Sequence, residues 1–531
     1  MTENGERIYR SPYPDVPIPD VSITELILDS ARKRGDQVAL VDGATGATMT
    51  YAQFVDRVER TAAGLHRWGF RRGDVAAIIT PNRPEFAVAF HAVSRLGGAM
   101  TTMNPAFTPG EIGKQLEDSG ARVIFTAPEL AERVEQAPGG HIERIWSFGE
   151  GRSQGSFDGL SAEGGQAPPV SIDPAEDVVA IPYSSGTTGN PKGVMLTHRN
   201  MVANAAIFEP LESFQEGDRH IAVLPFFHIY GLNVILNESL WRGVPVISFP
   251  RFDLEAYLQA VQDWRVRRLY LAPPMVLRLA RDPVVDRYDL SCVEIAVSGA
   301  APLPANIAAE LEERLGCFVK QGYGLTELSP GITMHPDDPS QIPPETVGVL
   351  HPNTLVRLVD PVTGEDAPEG GPGEIWARGP HVMKGYLNRP DATADTITPE
   401  GWMRTGDIAT VSADGNFSIV DRMKELIKYK GYQVPPAELE ALLLKHPAVA
   451  DVAVIPVADL EAGELPKAVI VRKPGTDPNA EELMEFVKGQ VAPYKRIRLV
   501  AFADQIPKSA SGKILRRVLV EEERAQAQPQ A

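Results

Sequence analysis

The sequence predicts an α/β protein: a large N-terminal domain of layered α/β subdomains with a small β subdomain, then a small α+β C-terminal domain. Three observations predict it. Short, continuously apolar runs such as Val75-Ala76-Ala77-Ile78-Ile79 alternate with helical patterns, as in a largely parallel sheet covered on both faces. After Glu345 the texture changes to short strand-like pieces between Gly/Pro/Asp turns, such as Asp360-Pro361-Val362-Thr363-Gly364 and Ser412-Ala413-Asp414-Gly415. Past Asp421-Arg422 the chain turns basic, with Arg422, Lys424, Lys428 and Lys430 within nine residues. A unit of about 110 residues follows, long enough to fold alone. The domains are therefore placed at 1–421 and 422–531. A chain of 531 residues needs such subdivision, because one hydrophobic core does not grow to that size.

Residues 6–21 are proline-rich and predicted to lie extended against the body. Ser22-x-x-Glu25 reads as a capping box opening a helix to about residue 31. Thr50-x-x-Gln53 is a second, starting a helix with Phe54, Val58, Leu65 and Trp68 on one face. Pro84 opens the helix carrying Phe86, Ala89, Phe90 and Val93, and Val123-Ile124-Phe125 is the next strand. Residues 149–173 are Gly/Ser/Pro-rich and predicted as an exposed loop. Strands are expected at Ile221-Ala222-Val223-Leu224, Val246-Ile247-Ser248, Leu269-Tyr270-Leu271 and Ile295-Ala296-Val297. In the C-terminal unit helices are expected at about 437–445 and 481–488, and strands at 452–455, 468–472 and 498–502. There are no internal repeats.

Composition excludes several function classes. With 43% apolar and 23% charged residues the chain is an ordinary globular one. A net charge of −18 argues against a nucleic-acid partner, which needs Lys and Arg to neutralise phosphates, and against adsorption to an anionic membrane. Only Cys292 and Cys317 are present, so neither a disulfide framework nor a Cys-rich metal site is expected. Both read as buried small hydrophobes in a reducing compartment. Residues 1–5 do not start a signal peptide, and no apolar run is long enough to span a membrane. The polar tail 526–531 is not a peroxisomal Ser-Lys-Leu address. The expectation is a cytoplasmic monomer or homodimer.

The chain is organised around Tyr183-Ser184-Ser185-Gly186-Thr187-Thr188-Gly189-Asn190-Pro191-Lys192-Gly193. Three glycines and a proline keep it out of regular structure, and four Ser/Thr hydroxyls alternate with backbone that can approach a ligand closely. Such a loop offers N–H groups, hydroxyls and the Lys192 ammonium to a polyphosphate. It is not a Walker A loop, because Lys192 follows a proline and precedes Gly193. A flexible Gly/Ser linker would share the composition, but Val178-Val179-Ala180-Ile181 and Gly193-Val194-Met195-Leu196 on either side read as strands. Continued to His198, as Y-S-S-G-T-T-G-N-P-K-G-V-M-L-T-H, the stretch resembles the signature loop of the adenylate-forming superfamily. That group contains acyl-CoA synthetases, 4-coumarate–CoA ligases, firefly luciferase and peptide-synthetase adenylation domains. The resemblance implies an enzyme using ATP, Mg²⁺ and coenzyme A, with the C-terminal domain mobile about a hinge at Asp421-Arg422. Ser184, Ser185, Gly186, Thr187, Thr188, Gly189 and Lys192 would then hold the triphosphate.

Activating a carboxylate with ATP also requires an oriented nucleotide and neutralisation of the charge built up between two anions at the α-phosphate. Gln321-Gly322-Tyr323-Gly324-Leu325-Thr326-Glu327 suits both needs. Gly322 and Gly324 permit close backbone approach, Tyr323 offers a flat ring for adenine, Thr326 a hydroxyl for phosphate and Glu327 a hard oxygen for Mg²⁺. A tight turn with a surface glutamate is the plain alternative; the resemblance assigns the functional roles. Ser298-Gly299-Ala300-Ala301-Pro302 resembles the family's adenine-side loop and Thr405-Gly406-Asp407 its ribose clamp, with Arg422 reaching the same sugar. Lys513, in Pro507-Lys508-Ser509-Ala510-Ser511-Gly512-Lys513-Ile514, matches the C-terminal lysine that brings an ammonium to the α-phosphate. Ile427-Lys428-Tyr429-Lys430-Gly431-Tyr432-Gln433-Val434 resembles the thioester-step loop, in which Lys428 and Gln433 line the site and Gly431 lets the pantetheine arm pass. His228 lies among aromatics, where a lone histidine is commonly a core residue; the resemblance places it at the acyl carboxylate. No His or Cys stands at zinc-ligand spacing.

Within the superfamily the chain is similar to the 4-coumarate–CoA ligase group through Phe227-His228-Ile229-Tyr230, Ala272-Pro273-Pro274, Pro283-Val284-Val285-Asp286 and residues 426–440. That likeness implies a cinnamate-type acid surrounded by Tyr230, Val234, Gly299, Gly322, Gly324, Pro330 and Gly331, an apolar lining suited to a planar ring. Leu328-Ser329-Pro330-Gly331 stands where the plant enzymes have Ala-Gly-Pro-Val, which alters the deep end of the pocket. A medium- or long-chain fatty acid is the alternative substrate. An amino-acid adenylation enzyme would need a carboxylate for the α-ammonium, typically an Asp between Phe226 and Asn237, and none is there. A non-catalytic nucleotide-binding module would have no use for Lys513, Lys428 and Gln433 together.

Overall fold

The computed structural model describes residues 2–3, 6–139, 141–149, 154–162, 164–184, 191–338, 340, 343, 345–423, 425–429, 432–459, 462–491, 493–509 and 512–527. It is the expected mixed α/β architecture with a large N-terminal and a small C-terminal domain. In the largest sheet Arg144–Ser147, Val123–Thr126, Val75–Ile79, Ala99–Met103 and Val178–Ala180 run parallel. Lys192–Thr197 then pairs antiparallel with Val178–Ala180 and with Tyr183–Ser184. A second sheet joins Arg268–Leu271, Ile295–Ser298 and Phe318–Gly324 in parallel before turning antiparallel through Gly331–Met334. The parallel runs are buried on both faces, which is why they lack polar alternation: Val75–Ile79 has four wholly buried residues after Val75.

The β subdomain is a five-stranded antiparallel sheet ordered Phe417–Arg422, Met403–Val411, Gly373–Arg378, Leu355–Val359 and Tyr9–Arg10. The proline-rich N-terminal stretch thus contributes its edge strand. It has its own core of Val356, Leu358, Ile375, Ala377, Met403 and Phe417. The C-terminal domain pairs Ile427–Tyr429 with Tyr432–Val434 and with Gly463–Arg472, which also pairs with Val449–Asp459 and Leu499–Phe502. The helix Ala480–Lys488 buries Leu483 and Val487 against this sheet's core.

Four expectations change. Residues 154–162 are not all exposed loop: Phe157–Ala162 is a helix that buries Phe157 against Phe125 and Phe148. An apolar pair within a polar stretch supplied the anchor. The segment Tyr230–Asn237 is a π-helix, a form that periodicity does not predict. A C-terminal helix not foreseen in the sequence, Arg516–Ala527, runs into the start of the polar tail. Cys292 is only half-buried, its thiol lying 3.5 Å from the Val266 carbonyl, while Cys317 is buried and pushed up to about 12 by desolvation. At the helix starts, Thr50 closes both bonds of its box with Gln53, whereas Ser22 makes the forward bond to the Glu25 N–H. Among the described residues no helix is long and apolar enough to cross a membrane.

Candidate active site

The strands Tyr183–Ser184 and Lys192–Thr197 form a hairpin base, with Tyr183 opposite Gly193 and Ser184 opposite Lys192. Its tip lies outside the described residues, and with it Ser185, Gly186, Thr187, Thr188 and Gly189. The base is held firmly. The Tyr183 hydroxyl donates to Asp118 Oδ2 at 2.8 Å, and Arg389 pairs with the other Asp118 oxygen at 3.1 Å. Among the described residues the Ser184 hydroxyl is buried without a hydrogen-bond partner, as suits a group able to meet a ligand oxygen. Lys192 Nζ sits 4.2 Å from the centroid of the Tyr386 ring, and the Tyr386 hydroxyl donates to Glu327 Oε1 at 2.9 Å. An ammonium and a carboxylate thus flank one ring. Among the described residues no three His, Cys, Asp or Glu gather into a metal cage. The Glu327 carboxylate has the donor chemistry Mg²⁺ takes, one or two carboxylates together with phosphate oxygens and waters.

Tyr323 and Arg422 meet at Asp407. Its carboxylate is 3% exposed, accepts from the Tyr323 hydroxyl at 2.6 Å and lies 3.3 Å from Arg422 Nε. Strand pairing sets Asp407 opposite Arg422, so backbone register already brings the two together. Burial raises the Asp407 carboxyl above its usual range, opposed by Arg422 and the Tyr323 hydrogen bond. Ala300, in the loop after Ile295–Ser298, has φ +71°, a strained left-handed backbone for a residue with a Cβ. Its neighbour Ala301 is half-buried and Pro302 exposed; Gln321 is buried and Thr326 half-buried.

Lys513 reaches this cluster from the far end of the chain. Burial, then the nearby Arg422, lowers its ammonium to about 8, while Glu425 and Asp407 act the other way. Its charge also bears on His228, whose ring is pushed down to about 4, chiefly by desolvation. His228 Nδ1 accepts from the Tyr230 N–H at 3.3 Å, so the neutral ring carries its proton on Nε2. The turn before Lys513 packs directly on the large domain. Gly512 has φ +82°, and a Cβ there would stand 2.7 Å from Pro274 Cδ. Arg516 ties the following helix to Glu425 and Glu440, the latter at 2.6 Å. Lys428, by contrast, is exposed, in register with Gln433; Gly431 and the Gln433 side chain lie outside the described residues.

Tyr230 and the buried Val234 stand one turn apart on the π-helix. The glycines expected to surround the acid are closely packed by protein. A Cβ at Gly299 would meet Tyr230 Cε1 at 3.0 Å, at Gly324 the Pro330 carbonyl oxygen at 2.1 Å, and at Gly331 the Phe208 ring at 2.6 Å. Gly322 is the most open, with its nearest neighbour, the Thr333 carbonyl oxygen, at 3.1 Å. These glycines let backbone and aromatic rings pack closely together, which is a packing requirement. Sequence reasoning missed Tyr386, Asp118, Glu425 and Pro274 as supporting residues. Tyr386 carries no motif, and only the pairing of Gly385–Tyr386 with Lys192–Thr197 brings it to the hairpin.

Comparison with known proteins identifies the family. The AMP-binding enzyme family matches residues 27–387, and the AMP-binding enzyme C-terminal domain matches residues 438–513. The chain is 42% identical over 522 residues to 4-coumarate–CoA ligase 5 of Oryza sativa subsp. japonica, covering 96% of each. Its fold is similar to that of the anthranilate CoA ligase AuaEII in complex with anthranoyl-AMP, with a TM-score of 0.89, 26% identity, and coverage of 96% of this chain and 99% of that one. It is also similar to ATP-bound MatB from Rhodopseudomonas palustris, with a TM-score of 0.88, 29% identity, and coverage of 96% and 100%. The apo form of that MatB superposes at 0.76 over the same coverage. Matched along both domains, the chain belongs to the AMP-binding enzymes of the adenylate-forming superfamily, in their 4-coumarate–CoA ligase-like group.

Proposed function

We propose that the chain is an ATP-dependent acid–CoA ligase acting in two steps on a 4-coumarate- or cinnamate-type acid. In the first, a carboxylate oxygen of the acid attacks the α-phosphorus of ATP, the bond to the bridging oxygen breaks and pyrophosphate leaves. In the second, the CoA sulfur attacks the acyl carbon of the adenylate, the bond to the phosphate oxygen breaks, AMP leaves and the thiol proton passes to solvent.

The observation that carries this reading is the convergence of Lys513, Asp407, Arg422 and His228 behind the Gly512 turn docked on Pro274. Two anions must meet at the α-phosphate, and preorganised cations and donors lower that barrier. In this reading Asp407, steadied by Tyr323 and Arg422, accepts from the ribose hydroxyls. Lys513 neutralises charge between carboxylate and α-phosphate, and His228 donates from Nε2 to the acid. Ser184 and Lys192 hold phosphate oxygens, with Thr326 beside them, and Gly299 to Pro302 border the adenine. Mg²⁺ held by Glu327 and the phosphates would supply further charge neutralisation.

For the second step the small domain rotates about residues 421–422 and presents Lys428, Gly431 and Gln433 to the pantetheine arm. The exposure of Lys428 in an arrangement that docks Lys513 supports two alternating faces. The aromatic substrate is supported by the identity to a 4-coumarate–CoA ligase and the likeness to an anthranilate CoA ligase. The net charge of −18 supports a protein without a nucleic-acid partner.

Acid-dependent ATP–pyrophosphate exchange without CoA tests the first step, and kcat/KM for 4-coumarate, benzoate, octanoate and palmitate tests the substrate. The highest value is expected for 4-coumarate. A tenfold preference for octanoate or palmitate, about 1.4 kcal/mol in transition-state binding, overturns the aromatic substrate. Absence of exchange with every acid overturns the ligase.

A further inference from the structure

The π-helix Tyr230–Asn237 runs directly into the helix Glu238–Arg242. Tyr230, Val234 and Glu238 are spaced four residues apart, about one turn each, so the three share one face. Glu238 is the next residue along that face after two assigned to the acid pocket. It is wholly buried, and among the described residues neither carboxyl oxygen has a hydrogen-bond partner. Its polar neighbours repeat the pattern. Glu212 accepts from the Tyr270 hydroxyl through Oε2 at 3.3 Å, while its Oε1 has no hydrogen bond and lies 3.8 Å from Arg268 Nη1. The Tyr230 hydroxyl and Arg268 Nε are likewise buried and unpartnered. The Tyr230 and Tyr270 rings meet edge to face at 6.4 Å.

Buried polar atoms in proteins are nearly always paired, because each orphan forfeits its hydration. Four residues with orphaned donors and acceptors in one place therefore describe a site for a small polar group. The charges of the cluster narrow its chemistry. Arg268 donates to Asp337 at 2.6 Å and Lys320 to the Leu211 carbonyl at 2.8 Å and to Asp337. With Glu212 and Asp337 set against Arg268 and Lys320, and Arg242 paired with Glu209 at 3.3 Å, the ionic groups balance and leave no net charge to attract an ion. Desolvation, then the Glu212 charge, holds the Glu238 carboxyl well above its usual range, opposed by Arg242, Arg268 and Lys320; this favours the protonated form, which both donates and accepts. A neutral hydroxyl, which also does both, is the complementary group.

We propose that Glu238, with Glu212 and the Tyr230 hydroxyl, reads a hydroxyl group on the ring of the acid and makes the ligase select hydroxylated over unsubstituted aryl acids. The inference rests on the acid–CoA ligase reading and deepens it. A site built to bond a substrate hydroxyl leaves its own groups unpaired when the hydroxyl is missing, which is the stronger form of discrimination.

The test measures kcat/KM for 4-coumarate, cinnamate and 4-methoxycinnamate, the last able to accept but not donate, in the wild type, Glu238→Leu and Glu238→Gln. The wild type is expected to favour 4-coumarate over both others by about tenfold or more. Glu238→Leu should shrink that ratio by about fivefold or more, and Glu238→Gln, which still donates and accepts, should retain most of it. Should Glu238→Leu fail to fold, Tyr230→Phe removes one orphan hydroxyl and should lower the same ratio. A wild-type ratio near one overturns the proposal. So does a ratio unchanged in the folded variants, including the case where Glu238→Leu merely raises Tm. Failure of the ligase reading is distinct: no acid-dependent exchange with any of the three acids.

Discussion

Replacing Gly512 with alanine isolates the contact between the docked turn and the large domain. At φ +82° a residue with a Cβ is strained by about 1–2 kcal/mol relative to glycine. The new Cβ would also stand 2.7 Å from Pro274 Cδ and 2.9 Å from Cγ. Comfortable carbon–carbon separations are about 3.5–4.0 Å. A proline ring at the start of the helix Pro273–Arg281 cannot swing aside, so the turn must retreat by about 1 Å, and overpacking of that order costs about 1–3 kcal/mol. The docked arrangement then loses roughly 2–5 kcal/mol, and kcat/KM for adenylation is expected to fall by about 30-fold to several thousand-fold. The assay is pyrophosphate exchange without CoA, set beside thioester formation from supplied acyl-adenylate, which should stay within about threefold because it does not use this contact. Adding Pro274→Ala deletes Cγ and Cδ and should restore about tenfold of the adenylation loss, leaving the φ strain. Equal loss in both half-reactions, or no recovery in the double variant, refutes the reasoning.

Two further predictions use the same pair of assays. Lys513→Ala should cut adenylation by about 10²–10³-fold and spare the thioester step. Because the Lys513 ammonium is lowered to about 8, the free enzyme holds its charge below that pH and loses it as pH rises through it. The adenylation kcat/KM should therefore decline on the alkaline side near pH 8, and Lys513→Arg should move that decline out of range; identical limbs in the two proteins would exclude Lys513 as their origin. Lys428→Ala and Gln433→Ala should damage CoA-dependent turnover more than exchange without CoA, and an equal fall in both would remove that loop from the thioester step.

Much of this protein was legible in one dimension, for stated physical reasons. A buried parallel strand must be apolar on both faces, so Val75–Ile79 and Ile295–Ser298 announce themselves as unbroken runs. A helix needs its first N–H groups satisfied, so Thr50 with Gln53 and Pro84 mark their helices. A loop that is to hold phosphate needs glycines and hydroxyls in close succession, so the stretch from Tyr183 stands out in sequence as a candidate for that role.

Residues whose role depends on a partner far along the chain could not be read that way. Tyr386 matters because strand pairing sets it beside Lys192 and Glu327, and Pro274 because the Gly512 turn closes on it. Phe157 and Leu160 turned a loop-like stretch into a buried helix because an apolar surface was waiting for them. Glu238 is the clearest case, since in sequence it is one more helical glutamate. Sequence by itself determined the family and the fold class, because those are set by local backbone and side-chain chemistry. Only the tertiary structure decided which groups share a dielectric environment and which polar atoms are left unpaired, because burial and charge coupling depend on distance in space.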